Sequence, residues 1–93
     1  MIAISQNRKV CCADVSRYIW KIIPALELVE NDGSPVKDVA PYEYAICCST
    51  LSNDLEIFAV YGSEETAKNV LSTFMDSMMY IGTYKFPDKT FAC

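Results

Sequence analysis

"YEYAICCSTLSNDLEIFAVYG", residues 42–62, decides the fold because it holds two runs with the composition of β-strands. Residues 42–51 and residues 55–62 are rich in aromatic and β-branched side chains, which favour strands. Residues 52–54, of sequence Ser-Asn-Asp, lie between the runs and suit a turn. The stretch therefore predicts an antiparallel hairpin.

A helix is predicted directly after the hairpin, over residues 64–81. Ser63 is a good N-cap, and Glu64 and Glu65 place negative charge in the first turn. Apolar residues then recur at helical spacing, and they are Ala67, Val70, Leu71, Phe74, Met75 and Met78. Gly82 is expected to end the helix as a left-handed cap. Because a lone helix must cover a sheet, we expect this stripe in the core rather than as a Met-rich groove for a partner.

The segment before the hairpin gives weaker signals. Residues 2–5 alternate as a short strand would. Residues 14–23 fit a helix behind an Asp14 cap, but Tyr18, Trp20 and Ile22 also alternate as in a strand. A helix would have to end at the following proline, so the strand is favoured.

These elements predict a single α+β domain over residues 1–93, with a small antiparallel sheet packed by one C-terminal amphipathic helix. The tail at residues 83–91 is expected to be extended. The chain is 52% apolar and 22% charged, as is typical of globular proteins. It has no apolar run of about 18 residues that would predict a membrane span, and residues 1–10 lack the pattern of a signal peptide. We therefore expect a cytoplasmic protein.

Five cysteines, four of them in the pairs Cys11–Cys12 and Cys47–Cys48, leave three alternatives: a metal site, a disulfide framework or small buried hydrophobes. An odd number cannot pair completely within the chain, and cytoplasmic thiols stay reduced. Zinc ligands are usually two to four residues apart, whereas adjacent residues of a strand point to opposite faces. The sequence favours buried hydrophobes, with no metal and no cofactor.

Catalytic patterns are also missing from the sequence. There is no P-loop, no GxGxxG and no GxSxG, and the chain contains no histidine, the commonest general base. Asp54 and Glu56 have a spacing that could share a metal, but that spacing is very common. We predict no catalytic residue and a protein that is not an enzyme.

The charge is unevenly distributed along the chain. Residues 1–21 carry four basic residues and one acidic residue, a net charge of +3. Residues 22–93 carry four basic residues and eleven acidic residues, a net charge of −7. An acidic chain with no arginine after Arg17 is poorly suited to gripping phosphates. We expect no direct binding to nucleic acid or to a membrane.

An acidic loop is predicted over residues 29–41, which contain a cluster of turn-forming residues. Tyrosine is a common interface anchor, and Tyr42 and Tyr44 follow this loop. An acidic loop with aromatic edges suits a basic groove on a partner protein, where it would imitate phosphates; an ordinary solvated loop is the alternative. The candidate partner-binding residues are Glu27, Glu30, Asp32, Asp38, Tyr42 and Glu43.

Three segments of the chain, ISQN at 4–7, AVYGSEETAKNVLSTF at 59–74 and YKFP at 84–87, carry a resemblance. They are similar to small proteins of prophages and mobile elements in Gram-positive bacteria, which share a Ser-Gln N-terminal strand, a GxYxSEExAxxVL helix and a Tyr-x-Met-Pro-like tail. Ala59 stands where that family usually has glycine, and Phe86 stands where it has methionine. The resemblance implies an α+β fold with one C-terminal helix, and it transfers no catalytic residue.

The resemblance also implies a mobile-element origin, where small acidic proteins often inhibit host defence, as anti-CRISPR proteins do. We therefore expect a non-enzymatic phage or mobile-element protein that binds and inhibits a host defence protein, such as a CRISPR effector nuclease. One alternative is a small-ligand-binding module, such as a sponge for a nucleotide signal, although only residues 1–21 supply clustered Arg and Lys for phosphates. Another is a regulatory or structural element protein with no defence role. A homodimer is left open.

Overall fold

The computed structural model describes residues 2–28, 39–40, 42–49, 55–78 and 82–88. Its strands are β1 (Ile2–Ile4), β2 (Cys11–Cys12), β3 (Ile19–Pro24), β4 (Tyr44–Ser49), β5 (Leu55–Tyr61) and β6 (Thr83–Lys85). One helix, α1, spans Glu64–Ser77, and single 3₁₀ turns occupy Val15–Arg17 and Ala25–Glu27. The α+β class predicted from the sequence is confirmed. Across the described part of the chain, no helix has the length and apolar character to cross a bilayer.

One sheet has the order β3-β4-β5 and is antiparallel throughout. The predicted hairpin is confirmed as the β4–β5 pair, while its turn at 52–54 lies outside the described residues. The strand preferred for residues 14–23 is confirmed from Ile19 onward. The helical signal near Asp14 corresponds to the single 3₁₀ turn at Val15–Arg17.

A β-bulge interrupts the β4–β5 pairing at Phe58. Ile46 pairs with Ala59, but the next residue, Cys47, pairs with Ile57, so Phe58 is an extra residue in β5. A bulge of this kind bends the strand and re-aims its side chains. As a result, Phe58 and Ala59 both contribute to the same buried core although they are adjacent in the chain.

The other sheet, of order β2-β1-β6, joins the two ends of the described chain. β1 is antiparallel to β2 and parallel to β6, with Ile2 paired to Thr83. The expectation of one antiparallel sheet is therefore corrected: the strands divide between two sheets, and one pair is parallel. Strands of two or three residues contain too little pattern for the sequence to show how they pair.

The side chain of Gln6 connects the two sheets. Its Oε1 accepts a hydrogen bond from Val60 N at 3.0 Å, and its Nε2 donates to Val60 O at 3.1 Å and to Pro87 O at 3.1 Å. The backbone N of Gln6 donates to Phe58 O at 2.6 Å. We call these four bonds the Gln6 clamp. The side-chain amide binds the outer edge of β5 as the peptide group of a neighbouring strand would, and it covers that edge.

Arg8 and Tyr61 reinforce the clamp from either side. The Arg8 guanidinium donates to Ser5 O at 3.3 Å and to Phe86 O at 3.1 Å, and the Tyr61 hydroxyl donates to Pro87 O at 2.8 Å. Arg8 has a backbone φ of 64°, a left-handed conformation that costs a residue with a side chain about 1 kcal/mol. The contacts of its side chain offset part of that cost.

Trp20 lies at the centre of the main core, which fills the space between the sheets and α1. Its ring centroid is 4.9 Å from that of Phe58, 4.6 Å from Phe74 and 6.1 Å from Phe86. Its Nε1 donates to Val15 O at 2.9 Å, so the buried indole is satisfied. The group of four rings around Trp20 therefore draws one ring each from β3, β5, α1 and the segment after β6.

α1 begins as the sequence predicts and ends earlier. The Ser63 side chain accepts from Thr66 N at 3.1 Å as the N-cap. The last helical residue is Ser77, so the expected end at residue 81 is corrected. Gly82 does not cap the helix. It has a positive φ of 144° and accepts a hydrogen bond from the backbone N of Ile2 at the start of β1.

The apolar stripe of α1 lies mostly in the core, as expected. Ala67, Val70 and Phe74 are buried, and the half-buried Leu71 and Met78 pack against the same cluster. The exception is Met75, which is 48% exposed, so its place in the stripe is corrected. Successive helical residues are about 100° apart, so Met75, one residue after Phe74, falls at the margin of the stripe.

We predict a large difference in stability between two neighbouring helix variants. Phe74→Ala should lower the free energy of unfolding by about 3–5 kcal/mol, because it removes a ring from a fully buried cluster. Met75→Ala, at an exposed site one residue away, should cost less than about 1 kcal/mol. Urea unfolding followed by circular dichroism measures both. Equal costs would contradict this assignment of the buried face.

The Gln6 clamp predicts that Gln6→Ala destabilises the protein by about 2–3 kcal/mol, because three side-chain hydrogen bonds are lost and backbone groups are left without partners. Gln6→Glu keeps the acceptor and loses both donated bonds, so it should also destabilise. Lys9→Ala, an exposed change in the same turn, is the control and should stay within about 0.5 kcal/mol of the wild type. Thermal and urea unfolding measure the stability of both variants. A Gln6→Ala variant as stable as Lys9→Ala would contradict the clamp.

Candidate functional site

The cysteines are placed as small hydrophobes, with neighbours on opposite faces of the sheet. Cys47 packs with Ala45 and Val60 on one face, and Cys48 packs into the main core on the other. Cys12 is also buried, whereas Cys11 is exposed. The expectation that these paired cysteines fill space is confirmed for the three buried thiols. Cys93 lies outside the described residues.

Burial also sets the protonation of these thiols. Desolvation raises the pKa of Cys47 to about 12 and that of Cys48 to about 11, and it raises the pKa of Cys12 in the same direction. A protonated thiol is a poor nucleophile and a poor metal ligand. Among the described residues, no three Cys, Asp or Glu side chains come together in an arrangement that could hold a metal ion. At neutral pH these sulfurs act as uncharged parts of the core.

The two ends of the predicted acidic loop are held against the sheet. Ala25 N donates to Glu43 O at 2.9 Å, which extends the β3–β4 pairing by one bond. Leu28 is buried, and the half-buried Val39 packs near it, on the face of the sheet opposite α1. The loop therefore starts and ends on a fixed base.

Glu43 is not available as a partner-binding residue. Its side chain is part of the loop base, where Oε1 accepts from Ala40 N at 2.8 Å, and the residue is only 6% exposed. Its inclusion among the candidate surface residues is therefore corrected. The physical reason is that a carboxylate buried with backbone donors stabilises the turn rather than facing the solvent.

Two large apolar residues are exposed beside this base. Leu26 is 79% exposed and Tyr42 is 71% exposed. Leu26 follows Ala25 and Tyr42 precedes Glu43, and the Ala25–Glu43 hydrogen bond joins the two segments. Because consecutive Cα atoms are about 3.8 Å apart, the backbones of Leu26 and Tyr42 lie on neighbouring segments. Glu27 is exposed next to Leu26. We call these three residues, Leu26, Glu27 and Tyr42, the Leu26 surface.

The remaining candidate residues, Glu30, Asp32 and Asp38, lie outside the described residues. Tyr44, the other tyrosine noted beside the loop, is half-buried and packs towards the main core. Sequence reasoning missed Leu26 because an apolar residue is normally assigned to the core, and nothing local marks one that faces solvent. The one local signal is its position two residues after Pro24, which ends β3.

A cleft of about 330 Å³ lies between the two sheets. It is at the end of the β3-β4-β5 sheet that holds Cys48 and Glu56. Its walls come from the region around β2 on one side and from β4 and β5 on the other. The residues that line it include Val10, Cys12, Tyr18, Cys48, Glu56 and Phe58.

In comparisons with protein-family models, with curated proteins and with solved structures, nothing matched this chain. The likeness to prophage and mobile-element proteins therefore stays a prediction from the sequence. Conclusions about the site must come from its geometry.

The raised thiol pKa values predict a loss of stability at alkaline pH. Burial raises the pKa of Cys47 from the ordinary thiol value of 9.0 to about 12 in the folded protein. The contribution of this thiol to the free energy of unfolding is therefore complete below pH 9, and it is lost as the pH rises from 9 towards 12, because only the unfolded chain ionises there. The free energy of unfolding of Cys47→Ala should consequently fall less steeply between pH 9 and pH 11. Cys11→Ala, at an exposed site, should keep the wild-type slope. Urea unfolding across this pH range tests the difference, and identical slopes for all three proteins would refute it.

Proposed function

We propose that the protein is a non-enzymatic binding protein that recognises another protein through the Leu26 surface and the acidic loop beside it. The observation that carries the proposal is the exposure of Leu26 and Tyr42 on two neighbouring segments, which the Ala25–Glu43 hydrogen bond joins. Single exposed apolar residues are normal on a protein surface, but two large ones on adjacent segments form a patch. Tyrosine at the centre of such a patch is a frequent interface anchor.

The charge of the neighbouring sequence supports one kind of partner. Glu27, Glu30, Asp32 and Asp38 are acidic, and Lys37 is the only basic residue between positions 22 and 67. Complementary charge speeds association and disfavours partners of the same sign. A protein with a basic groove, such as a nucleic-acid channel, has the complementary chemistry, and the acidic loop would occupy the place of the phosphates.

The resemblance to prophage and mobile-element proteins supports a defence target among proteins with such grooves. We therefore propose that the partner is a host defence protein, for example a CRISPR effector nuclease, and that binding blocks its nucleic-acid channel. A nucleotide-signal sponge is less well supported, because no Lys or Arg is among the described residues that line the cleft. Phosphate capture requires such side chains.

The proposal predicts that Leu26→Ala with Tyr42→Ala weakens binding to the partner at least tenfold without a large change in melting temperature. Both side chains are exposed, so their removal costs the folded chain little, while interface anchors typically contribute more than about 1 kcal/mol each. The measurement is affinity capture from a Gram-positive host, followed by binding and nuclease assays on the captured protein.

Met75→Ala with Ile2→Ala is the matched control, since both residues are exposed and apolar but lie outside the Leu26 surface and the cleft. It should retain the partner. Glu27→Lys should slow association most strongly at low salt, because long-range attraction between charges is screened at high salt. If the control and the Leu26–Tyr42 variant bind the partner equally well, the Leu26 surface is not the binding site.

A further inference from the structure

The cleft between the sheets has an apolar floor. Cys12, Cys48 and Phe58 form this floor, and all three are buried. Burial raises the pKa of the Cys48 thiol to about 11, so at neutral pH the floor carries no charge. The side chains of these three residues carry no nitrogen or oxygen, so the floor offers no strong hydrogen-bonding group. The floor is therefore suited to an apolar group.

The rim of the cleft has a different character. Tyr18 is half-buried and brings an aromatic ring and a hydroxyl, and Glu56 brings an exposed carboxylate. Glu56 is the only group with a formal charge at neutral pH among the described residues that line the cleft. An apolar site with one carboxylate at its edge has the chemistry to bind a cation with an apolar body. An anion of the same shape would be repelled.

From this arrangement we propose that the cleft is a binding site for a small organic cation, an ammonium group attached to a single apolar or aromatic ring. The ring packs against the accessible apolar side chains of the cleft, Val10 and Leu55, above the buried floor, and the ammonium group contacts Glu56 at the rim. The volume of about 330 Å³ is at the lower end of the range for ligand sites, which fits a ligand of one ring rather than a dinucleotide.

This site is separate from the Leu26 surface. Cys48 pairs with Trp20 and Glu56 at one end of β4, whereas Tyr44 pairs with Pro24 at the other end. Four residues of a strand span about 13 Å, so the two sites lie at opposite ends of the sheet. A ligand in the cleft therefore leaves the Leu26 surface uncovered, and failure of one proposal does not decide the other.

Three probes of one shape and different charge test the site: benzylamine, benzyl alcohol and benzoate, each titrated at pH 7 into ¹⁵N-labelled protein. Benzylamine should shift the amide signals of residues 11–13 and 55–58 and saturate. Benzyl alcohol should bind the same residues more weakly, and benzoate should not saturate. Benzylamine that binds nowhere, or benzoate that binds as tightly, would overturn the proposal.

Two charge-neutralising variants complete the test. Glu56→Gln should weaken benzylamine binding by about three- to fivefold, the effect expected for one exposed ion pair, and leave benzyl alcohol unchanged. Glu65→Gln makes the same charge change on the exposed face of α1 and should leave both affinities unchanged. Both variants must first give the wild-type amide spectrum away from the substituted residue. An equal loss of affinity in Glu65→Gln, or shifts that map to the acidic loop, would show non-specific attraction to an acidic protein instead.

Discussion

The amide of Gln6 is the constraint on which the arrangement of the two sheets depends. It bonds to both backbone groups of Val60 and to Pro87, so one side chain holds β5, the N-terminal turn and the tail together. The cleft has one wall around β2 and the other on β4 and β5, so its width follows from the relative position of the sheets. The Leu26 surface lies at the far end of the β3-β4-β5 sheet, and it does not depend on this contact.

The three segments that carry the resemblance to mobile-element proteins meet at the Gln6 clamp. ISQN supplies Gln6, the segment from 59 to 74 supplies Val60 and Tyr61, and YKFP supplies Pro87. Segments far apart in sequence thus meet at one contact, and this contact closes the fold. Binding features lie outside these segments, on the Leu26 surface and in the cleft.

How far the sequence could predict the structure depended on whether the signal was local. The β4–β5 hairpin and the start of α1 carry periodicity, turn residues and a cap, and their prediction succeeded. The parallel pairing of β1 with β6 and the bulge at Phe58 depend on residues far apart in the chain, and no local pattern shows them. Of the candidate site, the exposure of Tyr42 agreed with expectation, whereas the burial of Glu43 and the exposure of Leu26 are set by tertiary packing.

Parallel pairing of the first and last described strands also constrains the order of events during synthesis. Ile2 is synthesised before its partner Thr83 and before the core ring of Phe86. Until then Trp20, Phe58 and Phe74 have no fourth ring to pack against, and contacts that close so long a loop form slowly. A nascent chain of this design keeps aromatic surface open while it is being translated.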